Sequence, residues 1–317
     1  MSVMDAIHKS VNGEVTVGQH ARNVRAVLTE HWFSYLLFLP TLAYLALLLW
    51  APFLKGVWMS FHEWSLVGGQ NWVGLENYIY LFTWDPFYTS IKATLVFGLT
   101  TFVQVVIAIV ASLVIVDIKR FKSILSGLFL VPYTMPPVVT GTVWLYMTNP
   151  SYGPISQYFI EWGLIEQPIY WNADPNAALA VVSGVLAWTF WPFMFLIIVA
   201  TLESISTSQY EAAKVYGANR VQTFLSVTLP QLKSAILVAV SIRMVWNLAK
   251  ISQPFQMTEG GPGYATSVLG VLLYRFAYSE GRFGLGFAVG MVLLAITVAF
   301  VAIFIREFER GRSSRGG

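Results

Sequence analysis

Two short stretches of this sequence carry polar side chains at spacings that suit binding or chemistry. The first, EAAKVYGANRVQTFLSVTLP, covers residues 211–230; it is half polar and is punctuated by a glycine and a proline. The second is a polar stripe of Arg243, Asn247 and Lys250, at positions i, i+4 and i+7. Gln253 follows three residues later. On one helix, residues at these spacings share a face.

The sequence does not arrange its side chains for catalysis or for metal binding. The chain has no cysteine, which excludes disulfides and thiolate metal or redox chemistry. Its 4 histidines lack ligand spacing and lie outside the apolar segments. A G-x-x-x-x-G-K-[ST] loop is absent, and so is any Gly-Lys pair, so the chain cannot cradle nucleotide phosphates by that route. We expect no catalytic residue, no metal and no cofactor in this chain.

Residues 211–230 predict two short helices joined by a bend. Ser208 and Glu211 have the spacing of a capping box, which predicts a helix that begins at Gln209. Gly217 then supplies a left-handed stop. The first helix is therefore only about two turns long.

A second helix is predicted to begin at Asn219, three residues before Gln222, and to end at Pro230. Its apolar stripe is expected to lie against the ends of neighbouring membrane spans. The stripe consists of Val221, Phe224, Leu225, Thr228 and Leu229.

The helix pair has two possible roles. It is either an interfacial connection between two spans or a surface on which a second protein docks. Ala212 and Ala213 favour docking, because two adjacent alanines give a surface of low relief, whereas a lipid-facing helix would carry larger apolar groups.

The elements that position these stretches are membrane spans. The chain of 317 residues is 56% apolar and 11% charged, far from the composition of soluble proteins. Segments of about 20 apolar residues cross a bilayer, and six are present. They cover residues 32–54, 93–116, 124–147, 178–202, 234–257 and 284–305.

Lysine and arginine placement predicts the orientation. The segment 203–233 contains Lys214, Arg220 and Lys233, whereas the loop 148–177 contains no basic residue. The bias places 203–233 and both termini in the cytosol. The net charge of +3 then reflects topology and gives no reason to expect a nucleic-acid partner.

Two polar features within the spans each have two interpretations. The stripe of Arg243, Asn247, Lys250 and Gln253 either lines a substrate route or is structural, with Lys250 reaching the interface and Arg243 pairing at a subunit boundary. The prolines and glycine of the third span either soften a gate or form a static kink. These residues are Pro132, Pro136, Pro137 and Gly141.

Residues 211–230 resemble the EAA loop of the permease subunits of ATP-binding-cassette (ABC) importers. That pattern is Glu-Ala-Ala, three residues, Gly, nine residues, an aliphatic residue, one residue and Leu-Pro. It is matched at every spacing by Glu211, Ala212, Ala213, Gly217, Val227, Leu229 and Pro230. Many carbohydrate permeases have another proline four residues later, where this chain has Ser234.

Three further stretches resemble the carbohydrate, maltose-type branch of that family. They are GLENY at 74–78, VPYTMPPVVTGTVW at 131–144 and TEGGPGYAT at 258–266. The resemblance runs from about residue 32 to the C-terminus. It implies an all-α integral membrane protein with about six transmembrane helices and the type I importer permease fold.

The resemblance also implies the partners and the domain plan. A second permease subunit would enclose a midplane sugar site, two ATPase subunits would bind ATP and Mg and grip the EAA loops, and an external solute-binding protein would deliver the sugar. The chain would lie in the lipid of a prokaryotic plasma membrane. Its parts would be a cytosolic segment 1–31, a transmembrane domain 32–305 containing the coupling loop 203–233, and a cytosolic tail 306–317.

Other functions are less well matched by the residues. An ion-coupled secondary transporter would carry inverted repeats and midplane carboxylates, and no span has an Asp or Glu at its centre. A membrane-embedded enzyme would need clustered acids, histidines or a nucleophile on facing spans. Within the family, import of a polyol, glycerol phosphate or amino acid remains an alternative.

Overall fold

The structure is a computed structural model that describes residues 32–65, 68–118 and 120–313, with side chains as far as Arg306. The predicted segment 1–31 lies outside the described residues, as do most side chains of the predicted tail. The described residues divide into two units, of which the second begins at residue 59.

The described chain is helical apart from one small hairpin. In order, the elements are α1 (Trp32–Met59), β1 (His62–Trp64), β2 (Gln70–Trp72), α2 (Glu76–Thr83), α3 (Asp85–Asp117), α4 (Lys122–Thr134), α5 (Pro137–Met147), α6 (Pro154–Glu161), α7 (Pro175–Glu203), α8 (Thr207–Val215), α9 (Arg220–Leu248), α10 (Ser252–Thr258), α11 (Leu269–Tyr274) and α12 (Phe283–Ser313).

Five of the described helices are long and apolar enough to cross a membrane: α1, α3, α7, α9 and the part of α12 up to Arg306. Counting α4 and α5 as one broken span gives six. The prediction of an all-α membrane protein with about six spans is thus confirmed. The predicted span 178–202 agrees with α7 to within a turn at both ends. The predicted span 284–305 begins within a turn of the start of α12, but the helix continues beyond 305 to Ser313.

The third span, predicted at 124–147 with prolines that soften or kink it, is a broken helix. Its halves, α4 and α5, meet at a bend of 92°. Pro136 has extended backbone angles, φ −53° and ψ 135°, and Pro137 occupies the first turn of α5. Neither proline has an N–H to continue the helix, and each disfavours helical angles in the residue before it. Two successive prolines therefore end α4 and start α5 in a new direction.

The fifth span also differs from the prediction of 234–257. Helix α9 ends at Leu248, and a separate short helix, α10, follows. Helix α10 packs closely on α5, because a Cβ built on Gly141 would lie 3.0 Å from Cβ of Gln256. Helices α5 and α10, which follow the breaks in the third and fifth spans, therefore pack together.

The prediction that Pro230 ends a helix is wrong. Helix α9 runs through it as 29 continuous residues. The turn before the proline is π-helical over Phe224–Thr228, and the backbone N–H of Leu229 donates to the carbonyl oxygen of Phe224. This wider turn makes room for the ring, which would otherwise clash with the preceding turn of an α-helix.

The main core lies between α3, α7 and α9. Side chains from all three are fully buried there, among them Ala108, Ile115, Met194, Phe195, Ile198, Leu232 and Ala239. This packing holds α9, which carries Arg243 and Asn247, against α3 and α7.

The hairpin β1–β2 is antiparallel, with His62 opposite Trp72, and it packs on the start of α12. A Cβ on Gly284 would lie only 1.9 Å from the carbonyl oxygen of His62. We therefore expect Gly284→Ala to force β1 and α12 apart and to lower the free energy of unfolding by about 1–3 kcal/mol. Denaturant titration of the purified chain in detergent measures this loss.

The matched control is Gly127→Ala in α4, where an added Cβ meets nothing within 4 Å. This variant should be as stable as the wild type or slightly more so, because alanine favours helix over glycine. Equal stability of the Gly284→Ala chain and the wild type would contradict the close packing of β1 on α12.

Candidate functional site

Helix α8 begins earlier than the sequence predicts. Its first residue is Thr207, and the cap residue Ser206 makes no side-chain cap hydrogen bond. The predicted capping box of Ser208 and Glu211 is therefore wrong, because Ser208 already lies inside the helix. Its hydroxyl instead lies 2.8 Å from that of Ser206.

The predicted stop at Gly217 is confirmed. Gly217 has φ +76°, in the left-handed region. The N–H of Ala218 donates to the carbonyl oxygen of Ala213 at 3.0 Å, and that of Gly217 donates to Lys214 at 3.0 Å. These two bonds form a Schellman motif, which satisfies the last carbonyls of α8 and fixes the bend.

The predicted cap of the next helix is also confirmed. The side chain of Asn219 accepts from the N–H of Gln222, and the side chain of Gln222 accepts from the N–H of Asn219, each at 2.9 Å. The bend between α8 and α9 is thus closed on both sides by hydrogen bonds. Leu229 is half-buried and Pro230 is exposed within α9.

Side-chain contacts fasten α8 to the first turns of α9. The hydroxyl of Tyr210 lies 3.3 Å from that of the buried Thr228, and the amide of Gln231 donates to the amide oxygen of Gln209. These contacts hold α8 against α9.

The predicted apolar stripe of α9 is only partly confirmed. Thr228 is buried, but Val221 and Leu225 are 66% and 56% exposed. The π-helical turn contributes to this difference, because a turn that holds more residues rotates the residues on either side of it relative to an ideal helix.

The outer face of α8 is open. Glu211 and Ala212 are exposed and Ala213 is half-buried. Val215 and Tyr216, at the C-terminal end of α8, are 85% and 90% exposed. Sequence reasoning missed these two residues. The available signal was the pair of large apolar side chains directly before the helix-ending glycine.

The second polar stretch centres on Arg243, which is only 2% exposed. Its Nε donates to Oε1 of Gln104 at 3.2 Å, and its Nη2 donates to Oδ1 of Asn247 at 2.6 Å. Nδ2 of Asn247 donates to Oγ1 of Thr101 at 2.9 Å. Nε2 of Gln104 donates to the carbonyl oxygen of Leu186 in α7 at 3.2 Å. This buried network joins α3, α7 and α9.

Only part of the predicted stripe is a single helix face. Arg243 and Asn247 share it, but α9 ends before Lys250, and Gln253 belongs to α10. Gln253 is fully buried, and neither its Nε2 nor its Oε1 has a hydrogen-bond partner among the described residues.

Lys250 and Arg243 contact the same aromatic ring. Nζ of Lys250 lies 4.2 Å from the ring centre of Phe190, and Cζ of Arg243 lies 4.1 Å from the same centre. We call Arg243, Lys250 and the surrounding rings the cationic aromatic cluster. Its rings are Tyr133, Phe190, Phe193 and Trp246.

The bundle of apolar helices with one broken span, and the bent helix α8 at one end of α9, have the type I importer permease fold. The fold matches a bacterial ABC transporter involved in the import of the acidic polysaccharide alginate, with a TM-score of 0.78 and 22% identity, over 91% of this chain and 99% of that one.

The family follows from the sequence matches. Residues 104–311 match the model of the binding-protein-dependent transport system inner membrane component, and the chain belongs to this family. It is 27% identical to the trehalose/maltose transport system permease protein of Thermococcus litoralis, over 87% of this chain and 94% of the relative. It is 30% identical to the sulfoquinovosyl glycerol transport system permease protein of Agrobacterium fabrum, over 88% and 91%.

Proposed function

We propose that this chain is one of two permease subunits of an ATP-driven importer for a sugar, supplied by an external solute-binding protein. Two partner ATPase subunits bind ATP and Mg, and one of them grips α8 at the cytosolic face. The carbohydrate names of the relatives from Thermococcus litoralis and Agrobacterium fabrum support the sugar class.

The observation that carries the coupling role is the exposed end of α8. Large apolar side chains that protrude from a stiffly capped helix are typical of a surface that a partner covers. Glu211, Ala212 and Ala213 lie two to five residues earlier on the same helix, and Gly217 fixes the bend that follows it. Leu229 and Pro230 lie in α9, where the π-helical turn keeps the helix continuous.

The continuity of α9 explains how a displacement of α8 by the ATPase is transmitted into the membrane. Helix α9 spans 29 residues, about 43 Å, without a break in the helix. Because α8 is fastened to the first turns of α9, displacement of α8 moves the far end, where Arg243 and Asn247 lie. A rigid-body tilt of this kind switches access between the two sides of the membrane.

The cationic aromatic cluster is the part of the pathway that contacts sugar in this proposal. Trp246 is 45% exposed and offers a ring face on which a pyranose can stack. Lys250 is half-buried and offers donors to hydroxyl groups. Asn247 and Gln253 are fully buried. Asn247 therefore positions Arg243, and Gln253 becomes available only if α5 and α10 separate.

Co-purification tests the proposal. The tagged chain, expressed with its neighbouring genes and extracted in mild detergent, should bring down a second six-span protein and an ATPase. The purified assembly in nanodiscs should hydrolyse ATP faster when the sugar-loaded binding protein is added. Sugar uptake by the chain alone, driven by a proton or sodium gradient, would overturn the proposal.

A further inference from the structure

The two cations of the cationic aromatic cluster share one ring, and no acidic residue in the described part of the chain pairs with either of them. In the described part of the chain the ion pairs are Lys122 with Glu203 and Arg282 with Glu280. Neither pair includes Arg243 or Lys250. The hydrogen bonds that Arg243 donates end on the neutral amides of Gln104 and Asn247.

Neutral partners do not cancel this charge. Contact with an aromatic ring stabilises a cation by about 0.5–2 kcal/mol, and here one ring, Phe190, serves two cations. Like charges also repel more strongly in a medium of low dielectric than in water. Positive charges at membrane depth usually pair with an acid or mark a substrate route. The cluster therefore has an excess of positive charge that an anion would offset.

The accessible parts of the cluster indicate where that anion would bind. Arg243 is 2% exposed, so it acts on the anion through its electric field and not by direct contact. Lys250 is half-buried and lies beside Phe190, so its ammonium can reach a ligand directly. Trp246, whose ring centre is 5.6 Å from Cζ of Arg243, is exposed enough to stack on a sugar ring.

We infer that the imported sugar carries an acidic group, a carboxylate, sulfonate or phosphate, which pairs with Lys250 in the field of Arg243 while the sugar ring stacks on Trp246. This inference rests on the proposed function. Two cations with no acidic partner among the described residues distinguish the site from one built for a neutral sugar, where neutral hydrogen-bonding side chains suffice.

The test uses the assembled importer, purified through a tag on this chain and placed in phosphatidylcholine nanodiscs. The probes are glucuronate and glucose, which differ in the acid group at one carbon. We expect glucuronate to bind at least about tenfold more tightly than glucose. Lys250→Met should remove this preference, and Lys250→Arg should retain it. Added salt should weaken the binding of glucuronate more than the binding of glucose.

The matched control is Lys92→Met, which removes an exposed lysine near the start of α3 and should leave both affinities unchanged. Equal affinity for the two sugars, or full glucuronate affinity in the Lys250→Met importer, would overturn the inference. Binding of glucuronate in phosphatidylcholine nanodiscs that is lost in phosphatidylglycerol nanodiscs would also overturn it, since the cations would then serve lipid headgroups.

Failure of the proposed function gives a different result. If no ATPase or second permease co-purifies, the proposed importer is wrong and the acidic-sugar inference falls with it. If the importer assembles and binds both sugars equally, only the acidic-sugar inference fails. Binding of glycerol 3-phosphate without binding of glucuronate would overturn the inference as well, because the ligand would lack a sugar ring.

Discussion

Replacing Tyr216 by aspartate is expected to abolish sugar uptake and to lower the affinity of the membrane subunit for its ATPase at least about 30-fold. The ring of Tyr216 is 90% exposed at the end of α8, next to Val215 at 85%. In an interface this pair would be buried in a partner's cleft. A carboxylate at that position would have to lose its water without gaining a counter-ion. Quantified co-purification of the ATPase measures the loss.

The control for this prediction is Tyr170→Asp. Tyr170 is also exposed, at 59%, but it lies in the loop 148–177 that is predicted to be external. The Tyr170→Asp chain should assemble with the ATPase normally. Normal ATPase recovery and uptake with Tyr216→Asp would show that α8 is only a connection between two spans, and the coupling role would have to be abandoned.

The parts of the fold that were predicted correctly depend on local sequence. Spans follow from the length of apolar runs. The bend after α8 follows from Gly217, and the start of α9 follows from the box of Asn219 and Gln222, because these signals act within four residues.

The parts that were predicted wrongly depend on how competing local signals are resolved in three dimensions. Pro136 and Pro137 indicate a break, but its angle of 92° depends on where α5 packs. The packing partner of α5 is α10, which lies more than 100 residues later in the chain. Pro230 announces a helix end that a π-helical turn prevents. The capping-box spacing of Ser208 and Glu211 was overruled because α8 begins a half-turn earlier.

The polar cluster shows the same limit for the site. Arg243 and Asn247 were visible as one helix face, but Gln104 lies 139 residues away from Arg243 along the chain. Phe190, the ring that Arg243 and Lys250 share, belongs to a third helix. A single sequence gives no signal for such pairs, so the burial of Asn247 and the excess charge become apparent only in the folded chain.

Replacing Asn247 by leucine is expected to lower the free energy of unfolding by about 3 kcal/mol. Oδ1 of Asn247 accepts the 2.6 Å hydrogen bond from the buried guanidinium of Arg243. Leucine has similar volume but no acceptor, so a charged donor would remain buried without its partner. Denaturant titration of the chain in detergent measures the loss.

Two further variants separate this effect from others. Asn71→Leu, at an exposed position in β2, should change stability little.

Asn247→Asp retains an acceptor for Arg243 and adds the missing counter-charge, and the hydroxyl of Thr101 can rotate to donate to it. This variant should keep most of the wild-type stability but bind glucuronate more weakly, because the carboxylate offsets the charge offered to the sugar. Tighter glucuronate binding by Asn247→Asp would contradict the electrostatic argument, and wild-type stability of Asn247→Leu would show that Arg243 finds another acceptor.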